Sequence, residues 1–229
     1  MDKLIKIYGK LTDFENKPLS NGDIEIKNAM FESVYKTTTN ENGEYILEVK
    51  IGTYMAIFAV KDYGVNNLEY WGWNLPAFED TEINMRIGGL ELYAINAFLI
   101  QIAPPSMMIY FRPMSLKRYI KLQENTDETD NTVIDISPDL HEDDINVNIS
   151  GETAAIMGIN RVIETAPDNV QKVVGYLIQT SFPETDNKQE YAKINITLKD
   201  RETGETGEGS LFWQRPKSFD ETQDMINTK

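Results

Sequence analysis

Tyr70, Trp71, Trp73 and Phe78 fall within the eleven residues LEYWGWNLPAF, together with Glu69 and Asn74. If this stretch is a strand, its side chains alternate between two faces. Trp71 and Trp73 then project from one face with Glu69 and Leu75, while Leu68, Tyr70, Gly72 and Asn74 lie opposite. Two coplanar indoles about 7 Å apart along a strand match the apolar faces of sugar rings. Gly72 leaves space beside them, and Glu69, Asn74 or Tyr70 supply hydrogen bonds. Trp71, Trp73, Tyr70, Glu69 and Asn74 are therefore the expected ligand-binding residues. Two other readings use the same residues. Tryptophan is mostly buried, so the pair can serve a small core, or one indole can pack against a second domain.

Elsewhere the chemistry is sparse. The single histidine, His141, lies in SPDLHEDDIN, and no G-x-S-x-G motif supplies a nucleophile. In the same loop Asp139, Glu142, Asp143 and Asp144 are hard oxygen ligands and form a weak calcium candidate, without the spacing or glycine of an EF-hand. One histidine and no cysteine leave zinc only carboxylates. GETGEG (204–209) lacks the Lys-Ser/Thr of a phosphate loop and reads as a hairpin turn. The sequons at Asn148 and Asn195 read as polar strand positions. Among 37 acidic residues some pair lies at a hydrolytic spacing, but the sequence selects none. No catalytic residue, resident metal or cofactor is expected.

These residues must be positioned by strands, because the dominant period is two. Ile5, Ile7 and Leu11 share one face. So do Tyr45, Leu47, Val49 and Ile51, then Ile145, Val147 and Ile149, and later Ala192, Ile194, Ile196 and Leu198. Asn21-Gly22 and Asn42-Gly43 supply the positive φ of tight turns. The 229 residues suffice for two domains, and Ala103-Pro104-Pro105 marks the joint. Helix is expected only in APDNVQKVV and in SFDETQDMIN, where Ser218 and Glu221 form a capping-box pattern. A net charge of −15 disfavours nucleic acid and anionic membranes. No export signal or apolar span is present as written, so the expected location is cytoplasmic unless a leader was removed.

The first domain resembles the carboxypeptidase regulatory-like family, which has a prealbumin-like sandwich. Gly9, Leu11, Asp13, Pro18, Leu19, Ile24 and Ile26 match its opening strand, turn and second strand. Thr39, Gly43, Tyr45, Gly52 and Tyr54 match the later half, and Asn16 and Gly22 stand where Gly and a small residue are usual. The match covers roughly residues 5–65. It implies a non-catalytic module of the kind found in bacterial surface proteins, receptors and polysaccharide-processing enzymes, with no catalytic residues to carry over.

The resulting expectation is an all-β chain of two tandem antiparallel β-sandwiches. Residues 1–103 form the prealbumin-like domain and 104–217 a second sandwich, Ig-like in architecture. Residues 218–229 form a short helix or frayed tail. The expected function is a binding or structural module of a bacterial surface, carbohydrate-handling or assembly system. Its partner is a protein or a glycan at the aromatic patch, without nucleic acid or membrane insertion. The alternatives are an acid-pair hydrolase, supported by a cleft holding two close carboxylates, and a subunit of a homo-oligomeric or larger assembly.

Overall fold

The computed structural model describes residues 3–100, 105–124, 133–165, 172–183 and 190–216. The first half comprises β1 (Leu4–Thr12), β2 (Asp23–Lys27), β3 (Ser33–Thr38), β4 (Glu44–Lys50), β5 (Gly52–Val60), β6 (Tyr70–Ala77), β7 (Thr81–Glu82) and β8 (Met85–Arg86). The second half comprises β9 (Leu90–Ile100), β10 (Ser106–Ser115), α1 (Leu116–Glu124), β11 (Val133–Ile134) and β12 (Ile145–Ile149). It continues with β13 (Glu152–Ala154), β14 (Ile156–Thr165), β15 (Lys172–Ser181), β16 (Tyr191–Lys199) and β17 (Thr206–Gln214). The expected all-β class and its two sandwich-type units are what form.

Alternation decides which faces are buried. Ile5, Ile7, Leu11, Tyr45, Leu47 and Val49 are all buried, as the period-two pattern requires. Ile51 departs from it, because it sits in the turn between β4 and β5 and stays exposed. The turns use the residues expected: Asn16, Asn21 and Gly43 have φ of 63°, 55° and 72°.

Three sheets build the molecule. A small sheet runs β4-β1-β7, with β8 also alongside β1. A second runs β11-β15-β10-β9, with β14 on the far side of β15. The third has eight strands, β13-β12-β16-β17-β6-β5-β2-β3, and crosses both halves. Its seam is the parallel pairing of β17 with β6, at Ser210 opposite Gly72 and Leu211 opposite Trp73.

The two cores lie on opposite faces of that shared sheet. Phe212 packs with Ile57, Tyr70 and Leu75 under the β1 sheet, while its neighbour Leu211 packs with Ile109, Tyr176 and Ile194 under the β10 sheet. Each covering sheet therefore ends near the seam and leaves a step, one on each face.

The expected joint at residues 103/104 falls between β9 and β10, where residues 101–104 lie outside the described ones. β9 pairs with β10 from Leu90 to Ile100, and Leu90, Leu92 and Ile95 join the second core. We therefore propose dividing the chain at Gly88-Gly89. The tail 218–229 lies outside the described residues, as does most of APDNVQKVV, whose last three residues open β15. The α-helix among the described residues is instead α1. Ser115 caps it, its Oγ accepting from the Arg118 N–H at 3.1 Å and donating to Glu205 at 2.6 Å. No helix among the described residues is long and apolar enough to cross a membrane.

Candidate functional site

Strand β6 carries the aromatic pair into the step beside β9. Trp71 and Trp73 do share a face, but not as a flat platform. Their ring centroids are 5.1 Å apart with planes 15° from parallel, so they stack on one another. Phe58 packs on Trp71 at 4.9 Å, and Tyr93 meets both indoles edge-on at 5.5 and 5.2 Å. Phe31, in the β2–β3 loop, reaches both at 6.4 Å. Trp71 is only 6% exposed. Trp73 is partly buried, and its Nε1 has no acceptor among the described residues.

The other residues of this stretch part company. Tyr70 is fully buried in the first core, where its hydroxyl donates to Ser210 Oγ at 2.8 Å. Asn74 is exposed with φ 58°, and this left-handed residue resets the alternation. Leu75 consequently faces the first core with Tyr70 rather than lying beside the tryptophans. Gly72 opens space on the Tyr70 face and not beside the indoles. A Cβ there would stand 2.8 Å from Ile57 Cγ2.

Glu69 remains with the cluster, its Oε2 accepting from Trp71 Nε1 at 3.0 Å. It opens onto a cavity of about 400 Å³ bordered by Tyr63, Glu91, Tyr93, Arg112 and Val174. Glu91 is 2% exposed, and the Glu69 N–H reaches its Oε2 at a long 3.4 Å. Burial, followed by the charge of Glu69, pushes the Glu91 carboxyl up to about 8. Burial also raises Glu69. Arg112 does not neutralise the pair, because it is engaged with Glu164 and with the Tyr110 hydroxyl at 2.9 Å. At neutral pH the cavity thus offers a protonated carboxyl, a second carboxyl and two phenols, of which Tyr93 also packs on both indoles.

Glu91, Tyr93, Phe31 and Phe58 were not singled out in the sequence. Glu91 reads as the polar position of LELYAI, yet Leu90, Glu91 and Leu92 are all buried. Leu90 and Leu92 enter the second core while Glu91 and Tyr93 face the cavity, so both faces of β9 are covered. The phase then shifts at a bulge, where Ala94 has φ 53° and β9 places two residues opposite Phe111 of β10, which returns Ile95 to the core.

The acidic loop does not gather into a ligand set. Arg201 holds both oxygens of Asp144 at 3.0 Å, and Asp144 also accepts the His141 N–H at 2.8 Å. Among the described residues no group of three or more His, Cys, Asp or Glu is placed to hold a metal ion. GETGEG lies in the β16–β17 hairpin, where buried Glu205 secures the start of α1.

No protein-family model matches the chain, and no curated protein matches it. Solved structures give loose likenesses. BcpA, the major pilin subunit of Bacillus cereus, is 12% identical, with 92% of this chain and 69% of that chain covered and a TM-score of 0.30. A DUF3823 family protein from Parabacteroides merdae is 11% identical over 93% and 100% of the two chains, with a TM-score of 0.29. The full-length major pilin SpaD of Corynebacterium diphtheriae is 8% identical over 92% and 64%, at 0.25. Likenesses this loose carry no statement about activity.

Proposed function

We propose that the chain is a non-catalytic binding module of a bacterial surface or carbohydrate-handling system, and that it takes a neutral glycan in the cleft beside the tryptophan stack. The observation that carries this reading is a cavity with two carboxyls that adjoins the aromatic cluster through Tyr93. Tyr93 borders the cavity and touches both indoles, while Glu69 and Glu91 present acceptors and a proton to sugar hydroxyls. The N-terminal sandwich is read as prealbumin-like, because the residues of that resemblance do local work. Thr39 Oγ1 accepts the Gly22 N–H at 2.8 Å and donates to Leu19 C=O at 2.5 Å. A Cβ on Gly43 would lie 2.5 Å from the Leu11 oxygen.

Tryptophan fluorescence titrated with soluble neutral polysaccharides tests the proposal. A saturable change is expected in the wild type, weakened about tenfold or more in Glu69→Ala and lost in Trp73→Ala. A melting curve of each variant, and Glu69→Gln, which keeps an acceptor for Trp71 Nε1, separate lost binding from lost packing. No response to any neutral glycan would overturn the reading.

One observation favours a second reading, an acid-pair hydrolase. Glu69 and Glu91 share the cleft, and Glu91 is protonated at neutral pH as a general acid must be. Release of reducing ends that disappears in Glu91→Gln would establish it. The near-complete burial of Glu91 makes binding the better account.

A further inference from the structure

The step on the opposite face of the shared sheet holds a groove with different chemistry. Its floor is the outer face of β16 and β17 and its wall is the end of β6 with β7. One part encloses about 870 Å³ and a neighbouring part about 520 Å³, and both include Glu82, Lys193 and Asn195. Lys193 stands at the junction. Its ammonium lies 5.9 Å from the Phe212 ring centroid and has no hydrogen bond or ion pair among the described residues. Burial lowers its pKa against the opposing pull of the Glu208 carboxylate, which Arg86 already holds. The other cations of the groove are engaged, Arg86 with Glu208 and Lys10 with Glu44.

Two amides stand with this unpaired charge. Asn195 lies two residues along β16 on the same face, and Asn148 is its direct cross-strand neighbour on β12. Each has its oxygen already used. Asn195 Oδ1 accepts from Ser210 Oγ at 2.7 Å, and Asn148 Oδ1 accepts the Gly151 N–H at 2.8 Å. Both NH₂ groups are therefore left as donors. At the rim Phe78 and Tyr191 pack with centroids 6.2 Å apart.

We propose that this groove is a second binding site, for a saccharide carrying an isolated carboxylate, a uronate, which Lys193, Asn195 and Asn148 hold. One unpaired cation with two amide donors matches one carboxylate and its neighbouring hydroxyls. A rim aromatic pair matches a sugar ring. The floor is a sheet face whose backbone groups are spent in the β16–β17 ladder, so an extended peptide finds no edge to pair with. Glu79, Glu82 and Glu190 line the same groove and repel a densely charged polymer, which restricts the ligand to sparse charge.

Calorimetric titration of the full chain tests this, using a neutral β-linked oligosaccharide and the same oligosaccharide bearing one glucuronate. The uronate form is expected to bind about tenfold tighter or more. Lys193→Gln should remove that preference without lowering the melting temperature, since it removes a desolvated charge. Glu69→Ala, in the other cleft, should leave the preference intact. Equal affinity for the two oligosaccharides, a preference surviving in Lys193→Gln, or its loss in Glu69→Ala would each overturn the proposal. So would equally tight binding of a peptide through its free C-terminal carboxylate.

Discussion

Glu91 makes the cleft pH-sensitive in a calculable direction. In the unfolded chain its carboxyl loses its proton near 4.5, and in the folded protein near 8. Between these values only the folded state holds the proton, so stability falls as pH rises through that window and levels off above it. The loss is at most on the order of 5 kcal/mol, at about 1.4 kcal/mol per pH unit. Glu91→Gln keeps the shape and removes the titration. Melting temperatures from pH 5 to 8 should decline in the wild type and markedly less in the variant, where the raised Glu69 carboxyl still titrates; parallel profiles would assign the sensitivity elsewhere. The sequence exposed only part of this site. Two indoles two residues apart on a strand announce a shared face. Their stacking against each other depends on Phe58, Phe31 and Tyr93, which come from three other segments. Glu91 was illegible because its neighbour Glu69 is 22 residues away on another segment.

At the scale of elements, the strands were legible wherever one face is buried. Ile145, Val147 and Ile149, and Ala192 to Leu198 at alternate positions, are all buried as their pattern implies. Helix α1 was missed although Leu116, Tyr119 and Ile120 share one face, because the stripe is a single turn long and only Leu116 is buried. Its start is fixed from outside, where the Lys117 N–H donates to Glu205 Oε1 at 3.0 Å. Nor could alternation reveal that β6 changes phase at Asn74, because one left-handed residue suffices. Gly72 sits at the seam opposite Ser210 in a tight spot, where a Cβ would stand 2.8 Å from Ile57 Cγ2 of β5 and 3.4 Å from the Tyr70 ring. Gly72→Val should overpack this point and lower stability by about 1–3 kcal/mol. Urea denaturation followed by tryptophan fluorescence reads the loss, and an unchanged midpoint would show that the seam tolerates bulk.

For the whole molecule, the proline pair suggested two independent units, whereas the hydrogen bonding joins them through one sheet. Leu211 and Phe212, adjacent in sequence, serve different cores. Destabilising either core should therefore destabilise both. Calorimetry should show a single transition with equal calorimetric and van't Hoff enthalpies. Two separated peaks would mean that the halves unfold independently. The seam also bears on how the chain is made. Tyr70 and its partner Ser210 are 140 residues apart. A ribosome releases the first sandwich long before β17 exists, so β6 must wait as an open, aromatic-rich edge. Such an edge is a template for pairing with another nascent chain, and late closure of so distant a contact is slow. Yield in the cell should thus be governed by how well β6 is shielded during synthesis.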